Sequence, residues 1–101
     1  MKLLALVLLM SFLIKGHADE RADVMANDGE WTKVNIANNF SDPVVFAGAQ
    51  NVIVGIRNVT QYSFEIRVHS CTGDTIGSTY ISYYVAERED GVVQEYMHDG
   101  C

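Results

Sequence analysis

An all-β fold, a small antiparallel sandwich of about six strands, is what the sequence predicts. Three observations lead there. From Trp31 onward Val, Ile, Thr, Tyr and Phe dominate, and these residues suit a pleated, half-buried surface. Turn residues recur every few positions between the apolar runs, the punctuation of short strands. The run Ser63 to His69 alternates without a break, with Phe64, Ile66 and Val68 on one side and Ser63, Glu65, Arg67 and His69 on the other. That period is the mark of a strand with one wet face.

The runs follow in order. Trp31 to Ile36 is closed by Ala37-Asn38-Asn39, and Pro43 to Gln50 is introduced by Ser41-Asp42. Val52 to Arg57 comes third, joined to Ser63–His69 by Asn58-Val59-Thr60-Gln61-Tyr62, a length that predicts a hairpin. Cys71 to Ser78 has loop chemistry, with two glycines, an Asp and hydroxyls. Thr79 to Glu87 is the fifth run, and a weaker sixth covers Val92 to Met97 after the turn Arg88-Glu89-Asp90-Gly91. Val45, Ile56, Phe64, Ile66, Val68 and Val85 are the expected core.

With 101 residues the chain holds one domain at most. Residues 1–18 read as a signal peptide: Lys2, then an apolar run from Leu3 to Ile14 interrupted only by Ser11, then Gly16-His17-Ala18 as a small-residue cleavage site. The run falls short of the ~20 residues of a spanning helix, so membrane insertion is not expected. Residues 19–30 read as an acidic, mobile leader and 31–101 as the β-sandwich module. Cleavage after Ala18 leaves five Lys/Arg against thirteen Asp/Glu, a formal charge of −8. Such a balance argues against nucleic acid and against an anionic membrane surface.

Export places Cys71 and Cys101 in an oxidising compartment, where an intramolecular bridge is expected. It would stabilise by roughly 2–4 kcal/mol. Pairing of Cys101 between molecules is the alternative. No enzyme chemistry is expected. Of three histidines, His17 leaves with the signal, His69 lies on a polar face and His98 lies in the tail. No zinc-ligand spacing and no glycine-rich phosphate loop occurs, so no metal and no cofactor is expected. Glu87, Glu89 and Asp90 read as a solvated turn. Asn39-Phe40-Ser41 and Asn58-Val59-Thr60 are sequons. In a eukaryotic secretory pathway they make Asn39 and Asn58 glycosylation candidates; elsewhere they are ordinary turn residues. Tyr62, Tyr80, Tyr83, Tyr84 and Tyr96 supply rings. Tyr83 and Tyr84 are neighbours on one strand and so face opposite ways.

Phe40-Ser41-Asp42-Pro43-Val44-Val45 is followed by Ile56-Arg57-Asn58-Val59-Thr60, Phe64-Glu65-Ile66-Arg67-Val68 and Ile81-Ser82-Tyr83-Tyr84-Val85-Ala86-Glu87. This order, over about residues 31–90, resembles the H-type lectin domain and related extracellular modules, with Tyr84 where that pattern carries Trp. The resemblance implies a six-stranded antiparallel sandwich that forms trimers and binds N-acetylgalactosamine-type sugars between subunits. The link between the second and third strands departs from it, being only about Asn51 long, and the lectins' sugar contacts find no one-to-one counterparts. The expectation is a secreted, extracellular, non-enzymatic module binding glycans or glycoproteins. A structural or adhesion module contacting extracellular proteins is the alternative, and a small secreted inhibitor or toxin-like factor a third. For a glycan, Tyr62 offers a stacking ring, Asp74 an acceptor, and Arg57 and Arg67 donors. Arg57, Arg67 and Glu65 equally suit charge pairing across adjacent strands.

Overall fold

The computed structural model describes residues 19–101; the export signal read in residues 1–18 lies outside the described residues. Seven strands and no helix occur among them: β1 (Glu20–Asn27), β2 (Thr32–Asn35), β3 (Pro43–Gly48), β4 (Val52–Arg57), β5 (Ser63–Ser70), β6 (Ser78–Glu87) and β7 (Met97–Asp99). They form two antiparallel sheets. Sheet A has the order β1-β6-β3 and sheet B the order β2-β5-β4-β7. The all-β expectation holds, with seven strands rather than six.

The extra strand is β1, within the segment expected to be a leader. It pairs with β6 along its whole length, from Glu20 opposite Val85 to Asn27 opposite Ser78. Val24 and Ala26 turn toward the core, and Ala26 is fully buried. The Glu20 carboxylate ties the start of β1 to the β2–β3 loop, accepting the Ala37 and Asn38 N–H groups at 3.0 and 2.8 Å. The segment is rich in acids and alanine, which seldom mark a strand locally; its partner, β6, supplies the ladder. The sixth run also differs. Residues 92–96 are not a strand, and only Met97–Asp99 pairs, with β4.

The two sheets share one core. Val45 and Val85 of sheet A, and Ile56, Phe64, Ile66 and Val68 of sheet B, are all buried there. Phe64 meets Tyr83 across the gap edge to face, at 5.1 Å and 69°, a favoured ring geometry. The β4–β5 connection is the expected hairpin, with Ile56 opposite Ile66 and Arg57 opposite Glu65. Asn58 enters it at φ 53, a left-handed conformation that Asn tolerates. Thr60 holds the turn: its hydroxyl accepts the Tyr62 and Ser63 N–H groups, each at 3.1 Å. By contrast β3 and β4 do not pair; the link 49–51 carries the chain from sheet A to sheet B.

Cys71 and Cys101 form a disulfide, with Cα atoms 5.7 Å apart. It fastens the chain after β7 to the chain after β5. Between them Gly100 lies against the Val52 and Ala49 carbonyls, where a Cβ would come within 2.7 Å of the Val52 oxygen. Gly100 also pairs with the β3–β4 link: its N–H donates to Val52 and its carbonyl accepts Asn51, both at 3.0 Å.

Candidate functional site

Alternation along the strands leaves each sheet one outer face. On sheet B, Lys33 stands opposite Glu65, and Glu65 opposite Arg57. Arg67 stands opposite Gly55, which stands opposite Met97. Trp31, just before β2, reaches over this row: a Cβ on Gly55 would lie 3.3 Å from the far edge of the indole. Both guanidinium groups rest on that ring, Arg57 at 4.1 Å and Arg67 at 4.4 Å from its centroid. Arg57 also grips Glu65 through two nitrogens, at 3.2 and 3.4 Å. The Asn58 amide donates to the same carboxylate. The Asn58 hydrogen bond, and after it the Arg57 guanidinium, hold the Glu65 carboxyl below its usual range.

The four residues expected at a ligand site are therefore divided. Arg57 and Arg67 come together around Trp31. Tyr62 and Asp74 lie apart, at opposite ends of β5. Tyr62 precedes β5 and Asp74 follows it, and an eight-residue strand is about 26 Å long. Tyr62 is 73% exposed, and Asp74 accepts a hydrogen bond from the Thr72 hydroxyl at 3.0 Å within its own loop. Asn39 and Asn58 are both exposed. They lie at the same end, where Ile36 N–H donates to the Tyr62 carbonyl at 2.8 Å and the Gln61 amide to the Ser41 carbonyl at 3.2 Å.

The outer face of sheet A carries an open hollow of about 820 Å³. The register puts Arg21 and Phe46 on either side of Tyr84, and Asp23 and Gly48 on either side of Ser82. Phe46, 42% exposed, meets Tyr84 at 5.8 Å with the rings tilted by 42°. Arg21 lies over Tyr84 at 5.0 Å. The Tyr84 hydroxyl donates to Asp19, and that bond holds its proton above the ordinary tyrosine range. The Ser82 hydroxyl donates to Asp23 at 2.7 Å. His98 forms one wall, its ring against Gly48, where a Cβ would fall 2.8 Å from it. A second hollow of about 540 Å³ adjoins on the same face, and Phe46 and Tyr84 line both.

In the sequence Tyr84 stands out as a ring, whereas Phe46, Asp23 and His98 do not stand out as site residues. Phe46 breaks the apolar-in pattern, since Val45 beside it faces the core; a ring out of phase in its strand was the available signal. His98 had none, because β7 reaches Gly48 only through the fold. In the sequence Trp31 marks a strand start; the fold makes it the partner of two arginines. Among the described residues no group of three or more His, Cys, Asp or Glu side chains is placed to hold a metal ion. No protein-family model, no curated protein and no solved structure matches the chain.

Proposed function

We propose that the chain is a secreted, non-enzymatic binding module that takes glycans, as H-type lectins do, and that a sugar docks on the outer face of sheet A. The observation that carries this reading is the ring pair of exposed Phe46 and half-buried Tyr84, which lines two adjoining hollows. A pyranose presents a C–H face that stacks on a ring and a rim of hydroxyls that need partners. Arg21, Asp23, Ser82 and His98 surround the rings with donors and acceptors. A shallow hollow with such a rim suits a sugar chain lying along it better than an apolar molecule needing enclosure.

Other features support the same reading. The two antiparallel sheets agree with the sandwich that the H-type resemblance implies. The Cys71–Cys101 bridge is at home outside the cell. In a eukaryotic pathway Asn39 and Asn58 would carry glycans at one end of the molecule. The resemblance also implies a trimer, which sedimentation of the secreted protein measures.

A second reading, an adhesion module contacting extracellular proteins, is favoured by one observation. Met25 and Tyr80 stand opposite each other at the end of the same face, and Tyr80 is 70% exposed. The test is a glycan array followed by calorimetry with neutral oligosaccharides. Binding that Phe46→Ala abolishes, without a shift in the urea midpoint, is the expected result. Failure to bind any glycan, or binding to a glycosylated partner that free sugar does not compete, would overturn the glycan reading in favour of protein contact.

A further inference from the structure

The geometry on the opposite side of the molecule points to a second site: Arg67, seated against Trp31 on the outer face of sheet B, is the receptor for a single carboxylate, and its ligand is an acidic sugar. That the ligand is a sugar rests on the glycan-binding reading; that it carries a carboxylate rests on this face alone.

Arg67 is half-buried, and its guanidinium lies 4.4 Å from the centre of the Trp31 ring. Among the described residues no carboxylate pairs with it; the ion pairs there belong to Arg57, His69 and Arg88. Partial removal of a cation from water costs free energy unless an anion compensates. Glu65, two residues back on the same strand, is already taken by Arg57 and Asn58. Lys33 and Arg21 also lack ion pairs, but both are exposed and hydrated. Arg67 is thus the cation that the fold has partly dried and left without a counter-ion.

Its setting is prepared for a ligand. A guanidinium carries its N–H donors along its edges, in the fork that matches a carboxylate. The Trp31 ring holds it in place, and Gly55 makes room for both: a Cβ there would meet the ring at 3.3 Å and the Arg67 stem at 3.5 Å. Side-chain freedom already lost in the free protein is not lost again on binding. Overall charge then selects the kind of anion. Residues 19–101 carry thirteen acids and five Lys/Arg, so a polyanion meets repulsion over most of the surface. A pyranose with one carboxylate avoids that repulsion and still reaches the fork.

Trp31 is the only tryptophan, so its fluorescence reads this site directly. The whole secreted protein is titrated at constant ionic strength with sodium glucuronate, and in parallel with glucose, acetate and a short peptide ending in glutamate. A saturable change with glucuronate, at least about tenfold weaker with each of the other three, is the expected result. Arg67→Gln and Arg67→Lys should each weaken glucuronate by about tenfold or more, with urea midpoints near that of the parent. The lysine variant keeps the charge, so its loss reports the fork, and it serves where the glutamine variant does not fold. No saturable change with glucuronate would overturn the proposal, as would equal binding of acetate, tighter binding of the peptide, or full affinity in both variants. Phe46→Ala should leave this titration unchanged, so failure on one face is distinguishable from failure on the other.

Discussion

Gln94 occupies the place of a missing strand beside Val45. Its side-chain oxygen accepts the Val45 N–H at 2.7 Å, and its amide donates to the Val45 carbonyl at 2.8 Å. Val45 lies on β3, an edge of sheet A, opposite Val85 of β6. Alternate residues of an edge strand turn their backbone groups away from the ladder, and Val45 is buried where water cannot satisfy them. One glutamine side chain, itself buried, makes both bonds.

Replacement of Gln94 by leucine keeps the volume and removes both partners. Two buried backbone groups would then be unsatisfied, a cost of roughly 1–3 kcal/mol for each. The expected outcome is a lower urea midpoint with an unchanged slope, together with faster amide exchange at Val45. A midpoint equal to that of the parent would mean that water or another side chain reaches the β3 edge.

The Cys71–Cys101 bridge closes a loop with a sequence separation of 30. Its loss, tested as the Cys71→Ser, Cys101→Ser double variant, should cost roughly 2–4 kcal/mol. The effect should be uneven. β7 has three residues and pairs only with β4, so Met97–Asp99 should exchange its amides before the other strands do. The wall that His98 gives the sheet A hollow should loosen with it. Hydrogen exchange by mass spectrometry measures this, and full protection of the C-terminal peptide in the double variant would contradict it.

Acid should act through Glu65. Its folded-state carboxyl titrates below the ordinary range because of Asn58 first and Arg57 next. A lowered folded value means that the stabilisation is present above the ordinary carboxylate range and disappears as the pH falls through the folded value. Glu65→Gln should therefore lower the stability near neutrality and flatten the acid limb, so that the two proteins converge as the pH falls. Because the pair is exposed to salt, the difference should also shrink at high ionic strength. Urea midpoints measured from neutral pH down to about pH 3 would show it; identical acid limbs for the two proteins would assign the loss to other carboxylates.

The strands that were plain in the sequence are those whose two faces differ. In Ser63–Ser70 the inward residues Phe64, Ile66 and Val68 are fully buried and the outward ones are polar, so a local period of two carried the information. Val45, Ile56 and Val85, expected in the core, are buried as well. β1 was not plain, because its inward residues include two alanines and a glutamate. The candidate site was less legible still. Nothing local links Arg57 and Arg67 to the Trp31 ring that unites them, or shows that β5 separates Tyr62 from Asp74.

Composition and local pattern alone determined that the chain is β-structured, which residues face inward on its regular strands, and that residues 19–101 are acidic with two cysteines. These are properties of neighbours along the chain. Only the tertiary structure decided that β1 lies on β6, opposite residues about sixty positions on, and that Gln94 caps β3. The same holds for Trp31, Arg57 and Arg67 meeting over Gly55, and for His98 walling a hollow on the other sheet. Each depends on strand order and register, which the whole set of pairings and the shared core decide together. No single segment carries enough free energy to specify them.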